Sequence, residues 1–580
     1  MKKKIAILFT SILIALYACG GGGGSSASSP APSVPAPSAG TGEDLRSKNL
    51  VNQAAYIPSQ CYTVTQDSTG VHNPCYSCHQ SSVKPNYSND SDLQETYSFP
   101  SYADTNNWTN LFVDRSARVA EISDSGILGY VRQDNYKDSS GNIILAGKLA
   151  DVPAGWDFNG DGEWSGYIPD CYFSFDSDGF DRTAGGDYTG WRAYAYAPFL
   201  GTFWPTNGSA DDVLIRLPED FRRDANGSFS LEVYKLNLAI VESLIKMRDT
   251  AIDPVDESVY GIDLDGDGVL GTASVVKYDW APTQGIYMHY VGLAGVKEQA
   301  GTYHVAAGLF PEGTEFLHSV RYLNVTDGGE VTMASRMKEL RYARKKTWYT
   351  YSALELAHQE EVKEKHDFPD RLETFIGNVE SGISNGKGWT YQAFIEDADG
   401  GLRPQTYEET LFCMGCHTGL GATVDSIFTF SRKFAPASYQ RGWYHWTQKD
   451  LSGTPEQTTD YGAAGTQYEY SYYLTQNHSG DEFRENSEVK DKFFNPDGSV
   501  KQDMINALHS DVTVLLIPSA ERALAMSKAY RVIVSDQSFV YGRDASVVPS
   551  ANVYRSIDTD NKPTGITSVL SATNTGPDFD

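Results

Sequence analysis

Two copies of the pentapeptide Cys-x-x-Cys-His stand in this chain, at residues 75–79 and 413–417. Two thiols at this spacing can add across the two vinyl groups of a haem, and the adjacent histidine then reaches the iron as an axial ligand. The alternatives are half of a zinc site and a redox dithiol, but zinc needs two nearby pairs and a dithiol does not need the histidine. The sequence therefore predicts two covalently attached haem c groups, held by Cys75, Cys78, His79, Cys413, Cys416 and His417.

An iron that only transfers electrons needs a second axial ligand as well. His72 precedes the first motif but lies beside Asn73-Pro74, where an ordinary loop histidine is the alternative. His445 lies in the aromatic run 443–446, where a packed structural histidine is the alternative. The sequence does not choose among the candidates, and it assigns no catalytic residue. The candidates are His72, His445, His478, Met504 and His509.

Two acidic, glycine-rich loops have the spacing of EF-hand-type calcium loops. Each places oxygen-bearing side chains at positions one, three and five and glycine at position six, and the backbone carbonyl of position seven is a further ligand. Position twelve, where an EF-hand supplies a glutamate, is Ile168 or Ser274, so the last ligand must come from elsewhere, with Asp170 a candidate for the first loop. Acidic surface turns are the alternative. The predicted calcium ligands are Asp157, Asn159, Asp161 and Glu163 in the first loop, and Asp263, Asp265, Asp267 and Val269 in the second.

The N-terminus has the pattern of an export signal, with three lysines before an apolar run over residues 5–18 that is too short to span a membrane. The run ends in Leu16-Tyr17-Ala18-Cys19, which resembles the lipobox of bacterial lipoproteins. The resemblance implies lipidation of Cys19 and, because Gly20 follows it, sorting to the outer membrane, with the body facing the periplasm or the cell surface. An ordinary signal peptide cut nearby is the alternative. Residues 20–40, rich in Gly, Ser, Ala and Pro, predict a tether.

One cysteine for lipid and four for haem leave Cys61 and Cys171 as an even pair. In an oxidising compartment such a pair can form a disulfide bond. Two buried free thiols are the alternative. The sequence favours a disulfide between Cys61 and Cys171.

The composition is acidic, with 75 Asp and Glu against 47 Lys and Arg and a formal net charge of −28. Such a chain is repelled by nucleic acid and is compatible with cationic partners. Its many turn-forming residues predict a mixed α+β, loop-rich fold, in which irregular haem-binding segments surround a partly β, calcium-stabilised middle region. The predicted segments are a signal peptide (1–18), a lipidated cysteine and tether (19–44), a first haem region (45–132), a middle α+β region (133–330), a second haem region (331–480) and a C-terminal α/β cap (481–580).

Several stretches carry a clear secondary-structure pattern. Ser230 is the predicted N-cap of a core helix whose apolar residues run from Leu231 to Ile245 at spacings of three and four. The basic residues of 336–346 predict a solvated helical face, the alternatives being a docking site for an acidic partner and neutralisation of haem propionates. Ser352-x-x-Glu355 resembles a capping box that begins a helix. Residues 512–517 predict a buried strand, and residues 520–534 a helix.

In organisation the chain resembles the lipid-anchored c-type cytochromes that some bacteria place on their outer surface, a resemblance that rests on the lipobox and the two haem motifs. It implies electron transfer at the cell envelope or surface, with redox proteins or extracellular acceptors and donors as partners and a membrane contact through lipid alone. Those cytochromes usually carry many closely spaced haems, unlike this chain. One alternative is a dihaem peroxidase-like enzyme with an open iron, although members of that family are much shorter. The other is a surface binding module with accessory haems.

Overall fold

The computed structural model describes residues 45–46, 48–64, 66–67, 70–72, 74–80, 90–194, 207–427, 451–460, 464–478, 486–557 and 562–569. The predicted signal peptide, Cys19, the tether and His445 lie outside the described residues.

The described helices and strands are short apart from a few. The α-helices are α1 (Ser116–Ala120), α2 (Asp124–Val131), α3 (Ile144–Ala150), α4 (Leu231–Lys246), α5 (Gly292–Gln299), α6 (Tyr351–Asp367), α7 (Tyr407–Met414), α8 (Glu469–Asn477), α9 (Ser487–Phe493), α10 (Gln502–Ser510), α11 (Thr513–Leu516) and α12 (Ala520–Asp536). The strands are β1 (Gln66–Asp67), β2 (Gly70–Val71), β3 (Thr96–Tyr97), β4 (Phe180–Arg182), β5 (Tyr188–Ala193), β6 (Ser209–Asp211), β7 (Leu214–Arg216), β8 (Thr250–Asp256), β9 (Thr272–Val276), β10 (Glu315–Val325), β11 (Val331–Lys345), β12 (Gly377–Asn378), β13 (Gly382–Ser384), β14 (Trp389–Glu396), β15 (Leu402–Pro404), β16 (Thr458–Asp460), β17 (Thr466–Tyr468) and β18 (Lys562–Pro563). The mixed α+β fold class predicted from the sequence is confirmed.

A ten-stranded antiparallel sheet organises the fold. Its strand order is β12-β13-β14-β11-β10-β7-β5-β4, with β15 beside β14 and β6 beside β10. The central hairpin is formed by β10 and β11, in which Glu315 pairs with Arg344 and Val325 with Val331. The predicted segment boundary between residues 330 and 331 falls at the turn of this hairpin, so the middle region and the second haem region contribute strands to one sheet. Residues Gly42–Asp580 form one compact unit.

The two faces of this sheet bury different hydrophobic cores, because successive side chains of a strand point to opposite sides. On one face, Phe316 and Tyr391 belong to a large core that also contains the apolar residues of α4 and of α7. On the other face, Leu317 and Phe394 belong to a second core with Tyr136, Trp164, Tyr167, Cys171 and Trp191. We call the first side, defined by Phe316 and Tyr391, the haem face, because both Cys-x-x-Cys-His motifs pack against the large core.

Three helices predicted from the sequence are present. The hydroxyl of Ser230 accepts the amide of Val233 at 3.3 Å, which caps α4 as predicted. The C-terminal helix is α12. A helix also begins near the predicted capping box, but its N-cap is Thr350, whose hydroxyl accepts the amide of Ala353 at 3.2 Å.

The basic run 336–346 is not a solvated helical face. Almost all of it lies in β11, between β10 and β14, and Arg336, Lys338 and Lys345 are all buried. Buried carboxylates compensate two of these charges, since Arg336 pairs with Glu396 at 2.9 Å and Lys345 with Asp425 at 2.5 Å. The helix prediction was wrong because the compensating groups come from distant parts of the chain.

The buried strand predicted at residues 512–517 is also wrong, because this stretch forms the short helix α11. An apolar run of this length does not distinguish a buried strand from a buried helix. Asp511 accepts the amide of Thr513 at 2.9 Å, which favours a turn at the start of the run.

Candidate functional site

Both Cys-x-x-Cys-His motifs fold into the same tight turn. In the first motif the amides of Cys78 and His79 donate to the carbonyl oxygen of Cys75 at 3.1 and 2.7 Å. In the second motif the corresponding bonds to the carbonyl oxygen of Cys413 measure 3.3 and 3.0 Å. The shared turn brings two sulfur atoms and one imidazole together on a short stretch of backbone, as covalent haem attachment requires.

The backbone of each motif histidine is fixed by a side-chain amide from another element. Gln94 Nε2 donates to the carbonyl oxygen of His79 at 2.8 Å. Asn385 Nδ2 donates to the carbonyl oxygen of His417 at 2.9 Å. In both sites, a side-chain amide therefore holds the histidine backbone, although Gln94 and Asn385 come from unrelated parts of the chain.

The ring of each motif histidine is oriented through Nδ1. His79 Nδ1 lies 2.6 Å from Asp90 Oδ2, and His417 Nδ1 lies 3.2 Å from the carbonyl oxygen of Ile427. An acceptor at Nδ1 fixes the tautomer that offers Nε2 to a metal, which is the usual outer-shell arrangement of a ligating histidine. Burial lowers the pKa of His417 to about 3, so its ring is neutral at physiological pH, as a metal ligand must be.

The loop that follows the second motif touches the first motif in space. The amide of Ala422, which follows the second motif, donates to the carbonyl oxygen of Cys78 at 3.0 Å. A Cβ on Gly421 would overlap the backbone of Gln80, so only glycine permits this approach. Two haem groups attached to these motifs would be neighbours.

Helix α7 carries the first cysteine of the second motif and is anchored strongly at its N-terminus. Thr406 and Glu409 form a reciprocal capping box. The carboxylate of Glu409 also accepts two bonds from the buried Arg403 guanidinium, at 2.8 and 2.9 Å. The sequence placed no helix here, although Thr-x-x-Glu at 406–409 is a readable signal for one.

The segment before the first motif packs along α7. Glu408 accepts the amides of Val51 and Asn52 at 2.9 and 2.5 Å. A Cβ on Gly415 would overlap the carbonyl oxygen of Tyr56, so this segment also lies against the second motif. These contacts bring the two haem regions together although they are distant in the sequence.

The loop after the second motif is held in a strained conformation. Asp425 and Ser426 have φ values of 51° and 54°, which residues other than glycine rarely adopt. The Asp425 carboxylate pairs with Lys345 at 2.5 Å, and its carbonyl oxygen accepts the indole N–H of Trp389 at 2.8 Å. Strain of this kind persists only where the surroundings impose it, and it is typical of functional loops.

Both motifs fit haem c in their donor chemistry. Each supplies two thiols and an imidazole whose Nδ1 is engaged. Asp90 Oδ1, beside the first histidine, is buried and has no hydrogen-bond partner among the described residues. Ligation at Nε2 makes a ring N–H a stronger donor, and this would stabilise such a carboxylate.

The zinc and dithiol alternatives gain no support. Burial raises the pKa of Cys75 and of Cys416 to about 12, whereas a redox dithiol has a lowered pKa. Within the described part of the chain, the side chains that converge as metal ligands are Glu257, Asp263 and Asp265, with no cysteine or histidine among them.

Two candidate axial ligands from the sequence meet near the first motif. The rings of His72 and His478 lie 5.3 Å apart, centroid to centroid. Helix α8, which ends just before His478, contacts the first motif through Tyr472, whose ring lies 5.9 Å from that of Tyr76. The structure therefore brings these two histidines together beside the first motif.

The other candidates are placed differently. The ring of His509 stacks on Tyr468 with 3.6 Å between centroids, so it has a structural partner. Met504 is half-buried against the large core. His445 lies outside the described residues.

Sequence reasoning missed two basic side chains on the haem face. His318 and Arg341 stand opposite each other on β10 and β11. Both groups oppose a positive charge on His417, and so add to the effect of burial in lowering its pKa, with His318 having the larger effect. The register of a sheet, which the sequence does not reveal, is what brings them here.

The predicted disulfide between Cys61 and Cys171 is not formed, and both are free thiols. Cys171 is buried in the second core, whereas Cys61 packs against the large core on the haem face. The ten-stranded sheet lies between them, so a bridge would require the sheet to be disrupted.

The two predicted calcium loops share one further feature, a glutamate from outside the motif. In the second loop, Glu257 accepts the amides of Leu264 and Gly271 at 2.5 and 2.9 Å, and these are loop positions two and nine. The carboxylates of Glu257, Asp263 and Asp265 have ligand atoms within 4.8 Å of one another. Three carboxylates of the kind that calcium binds therefore converge at this loop.

In the first loop Glu380 has the same role. It accepts the amides of Phe158 and Ser165 at 3.2 and 2.8 Å, again positions two and nine. Asp170, the ligand suggested by the sequence, is instead paired with Arg216 at 2.5 Å and with the indole of Trp191 at 2.8 Å. The outside carboxylate of this loop is therefore Glu380 and not Asp170.

Comparisons with known proteins agree with the lipobox. A lipoprotein family model matches residues 45–512. A relative from Aquifex aeolicus (strain VF5), described as an uncharacterized lipoprotein, is 31% identical over 568 residues, which cover 87% of this chain and 89% of the relative. No solved structure matches the chain. Among the described residues, no helix has the length and apolar character needed to cross a membrane. The chain therefore belongs to a family of lipoproteins, which are anchored to a membrane by lipid.

Proposed function

We propose that this lipoprotein is a dihaem c-type cytochrome that carries electrons at the bacterial cell envelope. The observation that carries the proposal is the contact between the first motif and the loop that follows the second, in which the amide of Ala422 donates to the carbonyl oxygen of Cys78. Haem groups attached to motifs held together in this way would be close enough to exchange electrons. Cys75, Cys78 and His79 would hold one haem, and Cys413, Cys416 and His417 the other.

Each haem would supply a one-electron couple when bound, and the chain would set its properties. Asp90 and the carbonyl oxygen of Ile427 orient the two histidines through Nδ1. A carboxylate is a stronger acceptor than a carbonyl, so His79 is the more electron-donating ligand and its haem has the lower potential. The two potentials would therefore differ, which gives electron flow a direction.

The lipid anchor and the charge indicate where and with what the protein works. We propose an outer-membrane location with Cys19 as the lipidated residue, because Gly20 follows it. A formal net charge of −28 favours basic redox proteins or metal cations as partners.

Calcium is the second cofactor that we propose. Glu257 with Asp263 and Asp265, and Glu380 with Asp157 and Asp161, would supply hard oxygen ligands in the two loops. These loops lie away from the haem motifs in sequence, and their role would be to stabilise the middle region.

The test is the haem content and spin state of the purified protein, produced with a cytochrome c maturation system. We expect two covalent haems per chain by mass spectrometry and by pyridine haemochrome absorption, and one in the Cys413→Ala/Cys416→Ala variant. Both irons should be low-spin by EPR and indifferent to peroxide. A high-spin iron that reacts with peroxide would instead favour the peroxidase-like alternative, and absence of covalent haem would refute the proposal.

A further inference from the structure

We infer that His318 is the second axial ligand of the haem held by the 413–417 motif, and that Asp211 orients it. This inference rests on the proposed function, since it needs a haem at that motif. His318 belongs to the middle region, far from either motif in sequence, and none of the sequence patterns pointed to it.

The geometry of the sheet puts His318 on the same side as the second motif. In the register, His318 stands opposite Arg341 on β11, and Arg341 stands opposite Ala393 on β14. Directly paired residues share a face, and so do residues two apart on one strand. Tyr391, two residues before Ala393, contacts His417 with 5.3 Å between ring centroids. His318 therefore projects from the face of the sheet against which His417 lies.

The surroundings of His318 are those of a metal ligand. Its Nδ1 lies 3.4 Å from Asp211 Oδ1, and Asp211 is fully buried on the adjacent strand β6. Asp211 Oδ2 is buried and has no hydrogen-bond partner among the described residues. A carboxylate at Nδ1 fixes the tautomer that directs Nε2 outward, as in carboxylate–histidine–metal arrangements. A buried, incompletely paired carboxylate is costly unless a positively polarised ring compensates it.

Arg341 is a second side chain that belongs to this site. It lies between His318 and Ala393 in the same row, and it also interacts with the Cys413 sulfur. Its guanidinium pairs with Glu339 at 2.9 Å, so the positive charge of Arg341 is compensated within the protein. The row His318–Arg341–Ala393 thus places a histidine, a compensated cation and a small side chain on this face of the sheet.

This assignment divides the axial ligands between the two haems. His72 and His478 lie beside the first motif through the contact of Tyr472 with Tyr76. They are therefore candidates for the first iron. His318 is assigned to the second iron, and His509 remains stacked on Tyr468.

The test uses the full-length holoprotein and its His318→Ala variant. We expect the variant to keep two covalent haems while one of the two low-spin EPR signals is replaced by a high-spin signal, and added imidazole should restore the low-spin form. His304→Ala is the matched control, because His304 is half exposed and stacks on Trp348 at 4.4 Å. Two unchanged low-spin signals in His318→Ala would overturn the inference.

Further variants assign the haem and guard against a folding defect. In the Cys413→Ala/Cys416→Ala background, His318→Ala should leave the spectrum of the remaining haem unchanged, and a change there would contradict the assignment. His318→Met supplies a thioether ligand and should raise the potential of one haem only. Asp211→Asn should raise the same potential to a smaller extent, because the ring loses its anionic acceptor. Unaltered potentials in both variants would overturn the inference, whereas failure to find two haems in the parent protein would refute the proposed function instead.

Discussion

The amide nitrogen of Ala422 lies 3.0 Å from the carbonyl oxygen of Cys78, and this bond joins the first Cys-x-x-Cys-His motif to the loop that follows the second. Gly421 makes the bond sterically accessible, since any side chain there would meet the Gln80 backbone.

Replacing Gly421 with alanine should lower the free energy of unfolding by about 1–3 kcal/mol, because the new methyl group must displace backbone at a close-packed contact. The haem-to-haem coupling in EPR should weaken in the same variant. Urea unfolding measures the first effect. Gly129→Ala is the control, since that helical glycine has open space around it and alanine there should be neutral or stabilising. Equal stability of both variants would mean that Gly421 and Gln80 are not in close contact.

Replacing Lys345 with methionine should destabilise the fold by about 3–5 kcal/mol, because Asp425 would be left charged and buried without its partner. Lys363→Met is the matched control. Lys363 also pairs with an aspartate, Asp367, but its side chain is 76% exposed, and such pairs contribute less than about 1 kcal/mol. Denaturant unfolding should show a much larger loss of unfolding free energy in Lys345→Met than in Lys363→Met. Similar losses of free energy in the two variants would argue against a buried ion pair at Lys345.

Stability should fall in acid partly through Glu339. Burial alone would raise the pKa of this carboxyl, but Arg341 and Arg543 outweigh burial and lower it from 4.5 to about 2. A lowered pKa in the folded state gives stability that is present above pH 4.5 and is lost as the pH falls towards 2, and it is worth about 3 kcal/mol. Unfolding midpoints of the parent and Glu339→Gln should therefore differ at pH 7 and converge only near pH 2. A constant difference across this range would contradict the assignment.

Removing calcium should lower the melting temperature, and Glu257→Gln should weaken calcium binding by about 10–100-fold, because an outside ligand and its charge are lost. Calorimetry with and without a chelator measures both effects. Asp224→Asn is the control, since Asp224 accepts the amides of Asn226 and Ser228 in an ordinary turn. If the chelator leaves the melting temperature of the parent unchanged, the acidic loops are simple turns.

Thiol titration should find two reactive cysteines per chain in denaturant without a reductant. Cys61 and Cys171 lie on opposite sides of the sheet and are free thiols, whereas the proposed haem attachment would block the four motif cysteines. A count of zero would mean that these two cysteines are joined after all.

Local patterns alone determined the features that need only neighbouring residues. The spacing of cysteines and histidines identifies the two Cys-x-x-Cys-His motifs, Ser230 marks the start of α4, and the Asp-rich loops carry their own turn signals. The lipobox likewise lies within a few residues, and the family comparisons agree with it. Each of these depends on covalent spacing or on hydrogen bonds within one turn.

Only the tertiary structure decided which distant residues meet. Sheet register brought His318 and Arg341 to the haem face, and backbone packing brought Ala422 to Cys78. Most of residues 336–346 form a largely buried strand, because carboxylates such as Glu396 and Asp425 come from distant parts of the chain to compensate the buried charges. Glu257 and Glu380 complete the acidic loops in the same way. Such pairings are long-range, and their free energy depends on burial and on partners that no local pattern records.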